Sequence, residues 1–230
     1  MDQDYSDYKE INFNSEKELV NEIEDILNNT SDVLKDWKAR ETAIKRIGGI
    51  IIGNYGQDPT FIKFLNSKLS NHLIIQMNDL RSAIMKEACR VVCFAAQNYQ
   101  QNFEGGALVI VSVGGLIKLI SSANKVMTDA GSQCENEIIK NVESAKIIPK
   151  LVEQMRSKNA TTRLRATQSL LHIVTEWDKP SILDKNVQTI EEFILTATKD
   201  SGPEVRNCVK KLYVRYSELY PNRSANILNQ

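Results

Sequence analysis

Short polar stretches carrying Lys or Arg interrupt this chain near residues 36, 79, 123, 160 and 201, at intervals of 43, 44, 37 and 41 residues. Each interval holds two segments whose apolar residues recur every three to four positions, which is helical spacing. A helix pair of that size cannot bury its apolar faces alone. Successive pairs must therefore stack on one another, and the turns inside the pairs must fall along one edge of the stack.

A two-helix repeat near 40 residues is the HEAT or armadillo pattern. The expected fold is all-α, an α-solenoid of about six HEAT repeats. Five are full, and a sixth is expected to begin at "PNRSANILNQ" and to be cut short, as in a fragment of something longer. The helix starts are legible as caps. Ser15-x-x-Glu18 forms a capping box ahead of Leu19, Val20, Ile23, Ile26 and Leu27. Asp36 can cap a helix carrying Ala43, Ile44, Ile47, Ile50 and Ile51, and Asp58-Pro59 opens a helix to about Met77. Asn78 or Asp79 is expected to cap the next. Others are expected after Gly105-Gly106, from about Asn124, Ser144, Thr161 and Ser181, and at Gly202-Pro203. No segment alternates like a strand. The β-branched "LVIVSV" is expected to be a buried helix.

Charge excludes some functions. Lys+Arg and Asp+Glu are equal at 29 each, so a dedicated nucleic-acid binder, which carries net positive charge, is not expected. That balance also disfavours a DNA glycosylase built on such repeats. The longest apolar run, residues 106–120, is too short to span a bilayer and is interrupted by Lys118. Residues 1–14 are acidic and polar, read here as a flexible segment and not a signal peptide, ahead of a single domain over 15–230. The four cysteines, with no export signal, are expected to be reduced thiols in a cytosolic protein.

Read in order, the turns are "KDWKAR", "MNDLRSA", "SSANKVM", "SKNATTRLR" and "KDSGPEVR". Every one carries Lys or Arg although the whole chain is neutral, and the first adds one of only two tryptophans. A basic ridge with an aromatic anchor suits an acidic protein surface.

These stretches also resemble a known family. "DWKARETAIKRI" is similar to the opening of a TOG domain, where W-x-x-R-x-x-A-[IL] begins the second helix of the first repeat. "DLRSAIMKEACRVV" and "SANKVMTDAG" resemble the second and third turns of TOG domains in the cytoplasmic linker-associated protein (CLASP) family. "SKNATTRLRATQSLLHIVTEW" and "DSGPEVRNCVKKLY" resemble the fourth and fifth repeats. The likeness runs in order from about residue 30 to 220. It implies a flat TOG-type paddle that does no chemistry and binds αβ-tubulin, as dimer or lattice, by its turn edge, to regulate microtubule dynamics. Carried over, Trp37 packs on β-tubulin with Lys38 beside it. Arg81 and Ser82 serve the second turn, Asn124 and Lys125 the third, Lys158 and Arg163 the fourth, Arg206 and Lys210 the fifth. The implied domain is a monomer without cofactor or metal, cytoplasmic and on the cytoskeleton at microtubules, plus ends and the spindle, with no nucleic-acid or membrane partner.

Structural readings stand beside these. Trp37 falls in phase with Ile44 and Ile51 and could be a packing wedge. Arg206 fits a HEAT pattern in which an arginine ties neighbouring repeats through carboxylates. Arg163 and Arg165 share one helical turn; one should brace the scaffold, and Arg163 is taken for the surface. Arg81 and Lys125 oppose the dipole at a helix start, with Asp79 a candidate partner for Arg81, and Lys158 could simply be solvated. Trp177 is expected in the core, and Cys89 and Cys93 as buried small hydrophobes. Gly114-Gly115 lacks the form of a phosphate loop, and no catalytic set is evident. The rival to the tubulin reading is a generic HEAT adaptor that binds a protein or peptide on its concave helix face.

Overall fold

The Ser15 hydroxyl accepts the Glu18 backbone N–H at 3.3 Å, starting helix α1 (Glu16–Thr30) in the computed structural model. The model describes residues 4–112, 115–177 and 179–228, with the Asn226 and Leu228 side chains left out. The return arm of the capping box is shifted by one residue, because the Glu18 carboxylate accepts the N–H of Asn14 at 2.9 Å. Asp36 caps α2 (Trp37–Ile52) by accepting the Ala39 N–H at 3.0 Å. Asp58 caps α3 (Pro59–Phe64), with Pro59 at its first position. That helix continues through a π-helical turn, Leu65–Leu69, into α4 (Ser70–Met77). The Ser70 hydroxyl donates to the Leu65 carbonyl at 2.5 Å across that wide turn.

After α4 come α5 (Ser82–Tyr99), α6 (Glu104–Ser112), α7 (Leu116–Ile120) and α8 (Lys125–Asn141). The β-branched segment is helical through Ser112, as its burial demands; Val113 and Gly114 lie outside the described residues. Then follow α9 (Ile147–Gln154), α10 (Ala160–Glu176), α11 (Pro180–Lys185), α12 (Val187–Thr198), α13 (Pro203–Leu219) and α14 (Pro221–Leu228). No strand occurs among the described residues. The chain is all-α, and within each unit its helices pair and stack as in an α-solenoid.

Where one domain over 15–230 was expected, the contacts divide into two compact units, Met1–Val142 and Glu143–Gln230. In the first, α2 packs between α1 and α5, and α5 between α2 and α8, with α4 against α5 and α7 against α8. Ile47, Leu73, Met85, Val92 and Ile138 are at most 1% exposed in this core. In the second, α10 packs on α9 and α13, and α13 also meets α12 and α14. Leu170, Phe193, Leu212 and Tyr216 fill it, and Trp177 is buried as expected. Helix α14 lies where a sixth repeat is expected to begin, and residues 229–230 lie outside the described residues.

Gly105-Gly106, expected ahead of its helix, lies inside α6, and two further expectations need correction. Residues 4–14 are not free: Tyr8 and Phe13 are buried, and the Ile11 N–H donates to the Gly49 carbonyl at 3.1 Å on α2. Aromatic burial outweighs the segment's acidity, because the acids sit at its surface. Gly48 and Gly49 inside α2 make the approach possible; each costs a helix about 1 kcal/mol relative to Ala. Asp79, for its part, does not cap α5 as a helix N-cap. Arg81 holds that position without a side-chain cap bond, and Asp79 is buried and spent elsewhere.

Candidate binding edge

In the first unit, turn one (residues 31–36) is tied to turn two (residues 78–81) by Arg40. This side chain is fully buried in the first turn of α2. Its Nε donates to the Lys35 carbonyl at 3.0 Å, and its Nη1 reaches Gln76 Oε1 at 2.7 Å and Asp79 Oδ2 at 2.5 Å. Gln76 Nε2 donates in turn to the Thr30 carbonyl at 2.8 Å, and Asp79 Oδ1 accepts the Arg81 N–H at 2.7 Å. Both turns are thus fixed from below by one buried guanidinium and one buried amide, with the Arg40 Nη2 left buried and without a partner among the described residues.

What these fixed turns present is apolar as well as basic. Leu80 is 95% exposed and Leu34 88%, beside a Trp37 that is 37% exposed and a partly exposed Val33. Lys38 Nζ lies 5.6 Å from the Trp37 ring centroid, within cation–π range. Arg81 is exposed, and its Nη1 is 3.8 Å from Asp79 Oδ1. Ser82 is exposed at the start of α5. On turn three the Asn124 side chain is occupied as an N-cap, its Oδ1 accepting the Val126 N–H at 2.9 Å. Lys125 and Val126 project there, both exposed.

The second unit repeats the joint and reverses one assignment. Arg163, expected at the surface, is the brace. Its Nε and Nη2 hold Asp200 Oδ2 and Oδ1 at 2.6 and 3.0 Å, and its Nη1 donates to the Ser157 carbonyl at 2.9 Å. Its side chain is 12% exposed and that of Asp200 6%. A bidentate fork uses the donors that a partner would need. The neighbouring guanidinium, foremost, holds the Asp200 carboxyl below its ordinary range, and the Gly202 N–H adds to this against the opposing effect of burial. Arg165 donates from Nη1 to Gln168 Oε1 at 2.7 Å. Lys158 is exposed and, with Lys199 and Ser201, lines an open depression between turns four and five.

Arg206 also serves its own turn. Its Nη1 donates to the carbonyls of Asp200 and Ser201 at 2.6 and 2.9 Å, so it binds carbonyls where a carboxylate of a neighbouring repeat was expected. Lys210 is exposed but lies seven residues along α13 from Pro203, about 10 Å from the turn. The first unit therefore brings Trp37, Lys38, Arg81, Ser82 and Lys125 to its turns. In the second, Lys158 is exposed at a turn. Leu34 and Leu80 were missed. Their only signal is an apolar residue inside a turn, Leu34 next to Val33 in the first and Leu80 among Asn78, Asp79 and Arg81 in the second.

Cys89, Cys93 and Cys134 are buried in the first unit. Hydrogen bonding to the other two thiols and burial push the Cys134 thiol well up, away from the reactive thiolate. Among the described residues no group of three or more His, Cys, Asp or Glu is placed to hold a metal, and no helix is long and apolar enough to cross a membrane.

Comparison with known proteins matches residues 17–230 to the family model described as CLASP N terminal. A CLIP-associated protein of Arabidopsis thaliana is 28% identical over 216 residues, covering 94% of this chain and 15% of that protein. CLIP-associating protein 1 of Xenopus tropicalis is 27% identical over 197 residues, covering 86% of this chain and 13% of its own length. The chain thus spans less than a sixth of these relatives. Among solved structures, a TOG domain of C. elegans Zyg9 aligns with a TM-score of 0.62 at 14% identity, over 90% of this chain and 74% of that one. A TOG domain array structure concerned with tubulin recruitment by microtubule polymerases aligns at 0.64 and 16% identity, over 87% of this chain and 41% of that one. At these identities the likeness carries the fold.

Proposed function

This chain belongs to the CLASP N-terminal family, and on that footing we propose that it is a non-enzymatic tubulin-binding domain that regulates microtubule dynamics. It engages αβ-tubulin, as dimer or in the lattice, through the turns of its helix pairs. The observation that carries this reading is the exposure of Leu34, Trp37 and Leu80 among the cations Lys38 and Arg81, on turns that buried Arg40 holds fixed. Apolar anchors ringed by positive charge on a rigid support suit an acidic protein surface. The relatives named CLIP-associating and the neighbours solved in tubulin studies support the same partner. Trp37, Lys38, Leu80, Arg81 and Lys125 are proposed as the contacts of the first unit and Lys158 as that of the second. Arg163 and Arg206 hold the turns and act on binding indirectly. The proposed location is cytoplasmic, on microtubules, including plus ends and the spindle.

The test is co-migration of the chain with αβ-tubulin on size exclusion at low salt, beside a Trp37→Glu/Lys125→Ala double variant of unchanged thermal stability. A shift of the unaltered chain that the variant loses is the expected result. If neither co-migrates with dimer nor pellets with assembled microtubules, the proposal fails.

A further inference from the structure

Residues 4–14 run over the face that α2 and α5 present in the first unit. The track beneath them is built from glycine. A Cβ on Gly48 would come within 2.6 Å of the Tyr8 ring, one on Gly49 within 2.4 Å of the Lys9 carbonyl oxygen, and one on Gly53 within 1.9 Å of the Ile11 carbonyl oxygen. Two adjacent glycines inside a helix weaken it. They are useful where another backbone must lie against that helix.

One end of the track reads backbone. The Gly49 carbonyl accepts the Ile11 N–H at 3.1 Å. Asn54 Oδ1 accepts the Phe13 N–H at 3.0 Å while its Nδ2 donates to the Phe13 carbonyl at 2.8 Å. The other end reads side chains, and Arg90 on α5 does most of it. Its guanidinium lies 4.4 Å from the Tyr8 ring centroid and 5.5 Å from that of Tyr5. Its Nη2 and Nε donate to the Asp4 carbonyl at 2.7 and 3.1 Å, and it is ion-paired to the Asp7 and Glu87 carboxylates. Phe94 completes the floor, 4.3 Å from Tyr5 and 5.4 Å from Tyr8 between ring centroids. A cation beside two aromatic rings, flanked by an aromatic floor and paired with an acid, selects a tyrosine-bearing acidic segment.

We propose that the α2–α5 face is a peptide-binding groove for an extended acidic segment bearing tyrosines, that residues 4–14 are its resident ligand, and that a segment of this chemistry from another protein can take their place. This site is separate from the turns and does not rest on tubulin binding. A ligand tethered in the same chain acts at an effective concentration in the millimolar range. The groove therefore stays closed to other chains until the resident contacts weaken.

The experiment uses the full chain and a fluorescent peptide of the sequence MDQDYSDYKEINFN, read by anisotropy. Asp7→Ala/Tyr8→Ser, which weakens the resident segment, is expected to bind the peptide at least tenfold more tightly than the unaltered chain. Adding Arg90→Ala to that variant should remove the binding, and a scrambled peptide should not bind. Asp7 is more than half exposed, so Asp7→Asn alone keeps the fold if the double variant does not, and should tighten peptide binding severalfold. Unchanged affinity in the folded variants, or equal binding of the scrambled peptide, overturns the proposal.

Discussion

The Arg40 guanidinium meets the Asp79 carboxylate at 2.5 Å with their side chains 0% and 3% exposed, and the other carboxylate oxygen of Asp79 accepts the Arg81 N–H. Arg163 and Asp200 repeat this joint in the second unit, with the Gly202 N–H in the place of Arg81's. In both, the arginine is the fourth residue of a long helix and the aspartate lies in the next repeat's turn, 39 and 37 residues on. The joint fixes where the exposed side chains of a turn stand.

Removing Arg40 leaves the Asp79 carboxylate buried without its cation. Arg40→Ala is expected to cost the first unit about 3–5 kcal/mol, and Arg40→Lys to restore little, since an ammonium cannot bridge Lys35, Gln76 and Asp79 at once. Each unit holds one tryptophan, Trp37 and Trp177. Urea unfolding followed by fluorescence in a Trp177→Phe background reads the first unit alone. A loss under about 1 kcal/mol would contradict the role assigned to this joint.

Acid should act on the second joint. Arg163 holds the Asp200 carboxyl below its ordinary value of 3.8. A carboxyl depressed in the folded state contributes stability that is complete above its unfolded value and is lost as pH falls through the folded one. The Trp177-reported urea midpoint of the unaltered chain should therefore fall more steeply below about pH 4 than that of Asp200→Asn, which starts lower at neutral pH. Parallel curves would show that the pairing adds no stability.

Much of this is legible in the sequence. The caps at Ser15, Asp36 and Asp58 and the apolar stripes marked helix starts within a residue or so, because those signals are local. The choice between Arg163 and Arg165 was not legible. They differ only in which neighbour they face, which is a tertiary fact. The docking of residues 4–14 left a trace in the Gly48-Gly49 pair, whose meaning depends on the segment that lies over it. Leu80 lies inside a charged turn and Leu34 just ahead of one, and the exposure of an apolar side chain depends on packing that neither stretch displays.

The two leucines divide the binding energy by type. Leu80→Ser should leave stability within about 0.5 kcal/mol, because an exposed side chain gives up little packing. On the tubulin reading it should weaken binding about tenfold, the loss of one apolar anchor. The dependence on salt should stay as it was. Arg81→Ala or Lys125→Ala should flatten that dependence with a smaller loss at high salt. Titrations at two ionic strengths separate the cases, and a Leu80→Ser variant that binds like the unaltered chain removes Leu80 from the site.

Thiol labelling checks the core of the first unit. Cys89, Cys93 and Cys134 are buried and Cys208 is half-buried with its thiol pushed up by burial. Under native conditions a thiol reagent should react slowly with Cys208 and leave the other three untouched until urea is added. Rapid native labelling of Cys134 would show that α5 and α8 open freely.

The π-helical turn at Leu65–Leu69 gives the first unit an uneven tolerance of length change. Each residue of an α-helix turns its successor by about 100°, and the extra residue of the π turn sets the angle of everything after it, down to Gln76 and Asp79. Deleting one residue here would swing both away from Arg40 although every side chain of the joint remained. The same deletion among exposed residues such as Ser31 and Asp32, in the turn before α2, would ask only for a shorter loop. Insertions and deletions should therefore gather in the turns of related chains and spare this stretch of helix, where substitutions are the milder change.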